Sequence, residues 1–378
     1  MNDLRYAVVM LVAALLFVVS FRNLLTVDTG MRHEGITVAF TRFPESIVQE
    51  RFDDFRREIL AEIKSVPGIV DAGTTSMTPL LGGSWSHGIR VGAVSDSAQF
   101  TWVSPGYFST MGIAVRQGRD FTLRDTRNSP RVAIVNETFV KQFAGGADPI
   151  GQMLRTGEEP RYPSTVYEIV GVIPDTQYND LRGERRPMVF GPDSQHPSPG
   201  PGAAIMIHSS VAPDVAIARV REQFRQRYPT AIIEFSVFES RIRDGLVRER
   251  LLAMLAGFFG VLAVALTVVG LYGMLSYVVA QRRPEIGVRV ALGAGRIDVL
   301  GLIMSEAGKL VLFGVLVGLG LSLFAGRSVA SLLFGVQPND PVLLGSACAL
   351  LGIMAAVASF LPARRAARVD PAELLREG

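Results

Sequence analysis

The residues that could do chemistry in this chain are few and poorly placed for it. A phosphate cradle needs G-x-x-x-x-G-K-[ST], and that pattern does not occur; Gly308-Lys309 lacks the upstream glycine. A zinc hydrolase would need H-E-x-x-H or a Cys/His cluster. The four histidines, His33, His87, His196 and His208, are scattered instead, and Cys348 is the single cysteine. Each histidine reads as a loop or sheet residue rather than a ligand. Asp53-Asp54 and Glu158-Glu159 are carboxylate pairs, but adjacent residues on a helix do not face one another, so they offer little for acid–base work. Gly82-Gly83-Ser84 near His87 has the residue types of a nucleophile loop, and turn chemistry explains it better. No catalytic, metal or cofactor site is expected on this chain.

Two other sets of residues carry more information. Gly314-x-x-x-Gly318-x-x-x-Ser322 and Gly345-x-x-x-Ala349 present small faces for close helix packing. That packing is either internal to the chain or between subunits. The second set is Gln281 to Arg296. Arg282 and Arg283 close an apolar run, Pro284 permits a new helix, and Glu285 falls at its positive end. Gly287, Gly293 and Gly295 keep the surface thin, so that another protein could approach closely. A basic amphipathic linker resting on anionic headgroups fits the same residues.

The elements that must position these residues follow from the hydropathy. Of 378 residues, 48% are hydrophobic and 19% charged, with mean hydropathy +0.30, which excludes a purely soluble protein. The apolar residues concentrate in 6–27 and from Leu251 to Pro362, whereas 26–250 has soluble composition, enough for one or two domains. A helix needs about 20 residues to cross a bilayer core. Tyr6–Phe21 has 16 uncharged residues and reaches that length if Arg22 snorkels. A signal peptide fits less well, because Val19-Ser20-Phe21-Arg22 is a poor cleavage site. Leu251–Ala280, Leu310–Gly326 and Pro341–Ala363 supply 30, 17 and 23 uncharged residues.

Four spans put both termini on one side. Segment 281–309 carries Arg282, Arg283, Arg289, Arg296 and Lys309, and the tail carries Arg364, Arg365, Arg368 and Arg376, against only Arg327 in 327–340. The positive-inside bias places 281–309 and both ends in the cytoplasm and 26–250 outside. It also accounts for the pI near 9.2 without a nucleic-acid partner.

Within the outer block, Val48, Phe52, Phe55, Ile59 and Ile63 define an amphipathic helix over Glu45–Ser65. It lies between a strand at Ile36–Phe40 and another at Ile69–Met77. The same β-α-β order returns at Ala203–Ser209, Pro213–Tyr228 and Ala231–Val237, so both flanks form one α/β subdomain. Between them, strands at Gln99–Ser104, Arg131–Asn136 and Thr165–Ile173 and short helices at Pro105–Thr110 and Glu137–Phe143 form a strand-rich insertion. Pro187, Pro192, Pro197, Pro199 and Pro201 mark a loop without regular structure.

Gln281-Arg-Arg-Pro-Glu-Ile-Gly-Val-Arg-Val-Ala-Leu-Gly-Ala-Gly-Arg296 resembles the cytoplasmic signature of the FtsX/MacB-type ABC transporter permeases. Leu361-Pro-Ala-Arg-Arg-Ala-Ala-Arg-Val-Asp-Pro371 resembles that family's tail. Trp102-Val-Ser-Pro-Gly-Tyr-Phe108, Gly118-Arg-Asp-Phe121, Val132-Ala-Ile-Val-Asn-Glu137 and Asp148-Pro-Ile-Gly151 resemble its MacB-like periplasmic core.

The resemblance implies four transmembrane α-helices plus a large α+β extracytoplasmic domain, a porter-like βαβ subdomain with an inserted β-rich subdomain. The expected divisions are a first span over 1–27 and a periplasmic core over 28–250. In that core lie flanks 30–95 and 203–240, an insertion over about 96–186 and a proline-rich loop over 187–202. An FtsX-like permease domain follows over 251–378, with spans 251–280, 306–326 and 341–362 and a coupling segment over 281–298.

By the same resemblance the chain is an inner-membrane permease subunit. A cytoplasmic ABC ATPase subunit uses ATP and drives it, and the movement passes through the spans to the periplasmic domain for efflux or extraction. Arg282, Arg283 and Gly287 lie in the coupling segment, with Glu285 and Arg289 as polar contacts, Ile286, Val290 and Leu292 as apolar anchors and Gly293 as the point of close approach. A second permease copy, a periplasmic adaptor and the bilayer are the other implied partners. The first span resembles the start of one copy in the acidobacterial-type duplicated permeases, which leaves a fragment, a split subunit and a single-copy homodimer open. A signalling scaffold or a membrane-tethered enzyme is the alternative class.

Overall fold

The computed structural model describes residues 2–42, 51–80, 83–200, 202–229, 231–281 and 296–366. In chain order the elements begin with α1 (Asn2–Leu25), β1 (Ile36–Arg42), α2 (Phe52–Ser65), β2 (Ile69–Thr75), β3 (Ser86–Val91) and β4 (Val94–Val103). Then come α3 (Tyr107–Thr110), β5 (Gln117–Gly118), β6 (Val132–Asn136), α4 (Glu137–Phe143), β7 (Met153–Thr156), β8 (Val166–Ile173) and β9 (Met188–Pro192). The chain continues with β10 (Gly202–Ser209), α5 (Pro213–Arg227), β11 (Ile232–Val237), α6 (Phe238–Gly245), α7 (Val247–Gln281), α8 (Arg296–Val329) and α9 (Pro341–Ala366). These form two units, residues 27–245 and residues 1–26 with 246–378.

In the first unit, β11-β1-β10-β2 form an antiparallel sheet. With α2 between β1 and β2 and α5 between β10 and β11, this is the split β-α-β arrangement. Ile59 and Ile63 of α2 and Val220 and Phe224 of α5, spaced four apart, bury against Ala39, Ala72, Ile205 and Ile207 on one sheet face. Val38 and Met206 bury on the other, against Tyr107 and Phe108. The helix-forming residues expected from Glu45 to Glu50 lie outside the described part.

The insertion is a closed ring. β4 pairs with β3, β3 with β7, β7 with β8, β8 with β6, β6 with β9, and β9 returns parallel to β4. Closure removes the free edges of these six strands. The interior is filled by Ile89, Phe100, Leu154, Tyr167, Ile169 and Val189.

Two expectations are corrected here. The insertion does not begin near residue 96. Ser86–Val91 already hairpins onto Val94–Val103, whereas β2 of the flanking sheet pairs with β4 in ladder register at Thr75 opposite Val103 alone. The loop over 187–202 is not irregular throughout either. Met188–Pro192 is a buried ring strand followed by a 3-10 turn, Asp193–Gln195. Its prolines stand where they do least harm, Pro187 before the strand and Pro192 at its last residue.

Asn136 pins that strand. Its Oδ1 accepts the Phe139 N–H at 3.0 Å, capping α4, and the Met188 N–H at 2.8 Å, while its Nδ2 donates to the Arg186 carbonyl at 2.8 Å. The fully buried Gln195 accepts the Val132 N–H and donates to the Thr126 and Pro130 carbonyls, fixing the turn that follows.

In the second unit, four helices among the described residues are long and apolar enough to cross a membrane: Leu4–Leu25, Val247–Gln281, Val311–Leu332 and Pro341–Phe360. α1 packs on α7, α8 and α9, and α9 on α7 and α8. The third of these helices starts at Arg296, so the end of the expected coupling segment is already helical and continuous with the span.

Candidate functional site

The bundle is assembled through small residues. A Cβ built on Gly314 would stand 2.1 Å from Leu4 Cδ2, and one on Gly318 would stand 2.5 Å from Val8 Cβ. α8 therefore meets α1 at these two glycines, with no room for a side chain. Ser322 is buried, and its hydroxyl donates to the Gly318 carbonyl at 2.8 Å, satisfied within its own helix. Gly260 brings α7 onto α1 in the same way, 2.8 Å from Ala14 Cβ. At Gly345 nothing among the described residues comes within 4 Å of a Cβ, so of the two kinds of packing open to that small face, the one within the chain is not made there. α9 instead packs through Ala347, Leu351, Ala355 and Ser359, a buried row spaced four apart. Phe258, Val269, Phe324 and Val342 point outward as part of an exposed apolar belt, the surface a bilayer covers.

Arg282, Arg283, Glu285, Ile286, Gly287, Arg289, Val290, Leu292 and Gly293 lie outside the described residues. Their flanks are described: α7 ends at Gln281 and α8 begins at Arg296.

In the other unit, two clefts border α2. One, of about 720 Å³, runs between Arg56, Thr74, Trp102, Tyr162 and His196. The other, of about 670 Å³, is lined by Asp53, Arg57, Lys64, Leu123 and Asp125, and Asp193 lines both. The polar groups here are held by the fold. Arg56 Nη2 donates to Asp53 Oδ1 at 2.8 Å, and Thr74 Oγ1 donates to Asp193 Oδ2 at 2.7 Å. Burial pushes the Asp193 carboxyl up, with Arg56 drawing it partly back.

His196 is pushed down to about 4, first by burial and then by the Arg56 charge, so it is neutral at pH 7. It lies 4.1 Å from the Trp102 ring, and Trp85 stacks on Trp102 at 5.3 Å. Both tryptophans of the chain thus stand in one aromatic cluster with Tyr162. Nothing in the residue spacing announced this cluster; the nearness of Trp85 to Trp102 in sequence was its one signal.

The motifs singled out in the block turn out to be joints. Ser104 Oγ accepts the Thr74 N–H at 2.8 Å and Ser104 N–H donates to the Thr74 carbonyl at 3.0 Å. Gly106, at φ +83°, then turns the chain so that Tyr107 lies over Gly73, whose Cβ would be 2.7 Å from Tyr107 Cα. Tyr107 Oη, Tyr178 Oη and Thr75 Oγ1 form a buried network whose members lie 3.1 Å apart. Burial pushes both phenols up, so they remain neutral hydrogen-bonding groups. Arg119 grips Asp125 with two bonds of 2.9 Å.

This arrangement of block and spans has known relatives. The family profile of the MacB-like periplasmic core domain matches residues 7–227, and that of the FtsX-like permease C-terminal matches residues 257–371. The chain belongs to the FtsX/MacB-type ABC transporter permeases.

Among curated relatives it is 29% identical over 299 residues to the macrolide export ATP-binding/permease protein MacB 2 of Aeromonas hydrophila, covering 74% of this chain and 43% of the relative. It is 28% identical over 277 residues to the pyoverdine export ATP-binding/permease protein PvdT of Pseudomonas putida, covering 68% of this chain and 40% of that one. The permease chain thus spans less than half the length of these relatives. Among solved structures, the periplasmic region of MacB from Actinobacillus actinomycetemcomitans aligns with TM-score 0.41 at 16% identity, over 59% of this chain and 97% of that one.

Proposed function

We propose that this permease works as the transmembrane subunit of an inner-membrane efflux or extraction machine driven by a cytoplasmic ABC ATPase. The observation that carries the reading is the division of the chain. The chain passes from a four-helix membrane bundle into a folded block at 26/27 and returns at 245/246, so in this reading movement of α1 and α7 is passed to the block along the backbone. The relatives' names join ATP binding to export, while the present sequence holds no G-x-x-x-x-G-K-[ST]. In this reading ATP hydrolysis is supplied by an ABC ATPase outside residues 1–378, taken here as a partner subunit. The segment between α7 and α8 is the place for that partner to push, with Glu285 and Arg289 in polar contact and Gly293 at closest approach.

Both ends and residues 281–309 face the cytoplasm in this reading, and 28–250 the periplasm, supported by the arginine bias. The open face at Gly345 and the exposed apolar belt fit a second permease copy and lipid. A periplasmic adaptor would complete an export path. The purified chain alone should hydrolyse no ATP, and hydrolysis should appear when the subunit recovered with it in mild detergent is added back. Hydrolysis by the isolated chain would overturn the assignment.

A further inference from the structure

The chain enters the unit of residues 27–245 directly after α1 and leaves it directly before α7. α8 and α9 have no such junction in the chain, so along the backbone neither leads into the other unit. Where the α8–α9 hairpin is fastened to α1 therefore matters. Near the end of α1 the buried Ser20 hydroxyl oxygen accepts the Phe334 backbone N–H at 2.8 Å. One turn further, Asn23 Nδ2 donates to the Gly335 carbonyl at 3.1 Å. Phe334 and Gly335 belong to the loop between α8 and α9.

That loop is shaped for the contact. Gly335 has φ +63°, and a Cβ there would lie 3.1 Å from Asn23 Nδ2. Leu333 and Val336, on either side, pack into the apolar cluster of α1 that contains Leu11 and Leu16. Pro338 closes over Gly326 of α8, 2.8 Å from where a Cβ would stand. Asp340 Oδ1 then accepts the Val342 N–H at 2.9 Å and starts α9. The loop is thus braced on α8 and bonded to the last turns of α1, within a few residues of the point where the chain leaves the bundle.

Building on the coupled-motion reading above, we infer that Ser20 and Asn23 form a latch. They are positioning residues that make the α8–α9 loop and the end of α1 move as one. A displacement of α8 begun in residues 282–295 then arrives at residue 27 through α1, as well as at residue 246 through α7. Apolar side chains alone could slide past each other during such a motion; two directional hydrogen bonds fix the register.

The test uses the full chain with Cys348→Ser in lipid nanodiscs, carrying spin labels at Val18→Cys and Val342→Cys, both on exposed faces. The distance distribution between the labels should be narrow, and in Ser20→Ala/Asn23→Ala it should broaden by about twofold. Hydrogen exchange at the Phe334 amide should rise about tenfold in Ser20→Ala. Ser20→Thr, which keeps the acceptor, should restore both readouts. An unchanged distribution in the double variant overturns the latch, and so does Ser20→Thr behaving like Ser20→Ala. Should the double variant fail to fold, Ser20→Ala alone and its rescue by threonine carry the decision. No ATPase enters these measurements, so failure to recover one would bear on the preceding reading and not on the latch.

Discussion

At Gly318 one absent side chain sets the separation of two membrane helices. Gly318→Leu would drive a side chain into Val8, where a Cβ already falls within 2.5 Å. Overpacking of this kind costs about 1–3 kcal/mol, so the thermal midpoint of the detergent-solubilised chain should fall. Gly320→Leu on the same helix meets open space and should leave it unchanged; equal midpoints for the two variants would contradict the packing assigned to Gly318. His196 gives a pH-dependent prediction. Its folded value is depressed to about 4 from an ordinary 6.5, so the unfolded chain binds the proton more readily. The stability it contributes is complete above 6.5 and is lost as the pH falls toward 4. Denaturant unfolding followed by tryptophan fluorescence reports on this site, since Trp85 and Trp102 are the only tryptophans. His196→Gln should flatten the decline over that interval, and an identical decline in the variant would remove His196 from the account.

Among the elements, β9 depends most on a single side chain. Asn136→Ala removes the cap of α4 and both bonds that hold residues 186–188. The cap alone is worth about 1 kcal/mol, and the released Met188 N–H is buried, so the loss should exceed that of an ordinary cap. Denaturant midpoints would show it, and a loss no greater than about 1 kcal/mol would mean that Asn136 does not hold β9. The same strand shows where sequence reading stops. Strands with alternating or continuous apolar residues, such as Ile36–Arg42 and Val132–Asn136, were legible because one face or both had to be buried. Met188–Pro192 was not, because its prolines read as loop and its partners β4 and β6 lie far away in sequence. Ser86–Val91 and Met153–Thr156 were missed for a different reason: every second residue is exposed, the buried ones include His87 and Thr156, and ring closure is what buries them. Of the packing glycines, Gly314 and Gly318 were legible from their spacing, whereas the open surroundings of Gly345 depend on which helices neighbour α9.

For the whole molecule, the spans and the block between them could be read from hydropathy alone, because a bilayer demands long uninterrupted apolar helices. Orientation rests on charge and is open to test. Reporter fusions at Gly378 and after Gly200 should give opposite signals, and equal signals would contradict the arrangement with both ends in the cytoplasm. The central claim is that an ATPase acts on the bundle through residues 281–296. Affinity purification of the full chain in mild detergent, with and without Gly293→Trp, tests it most directly. The account predicts that an ABC ATPase is recovered with the unaltered chain and lost with the variant, while expression and membrane insertion are unchanged. Recovery of the ATPase in equal amount with Gly293→Trp would contradict it.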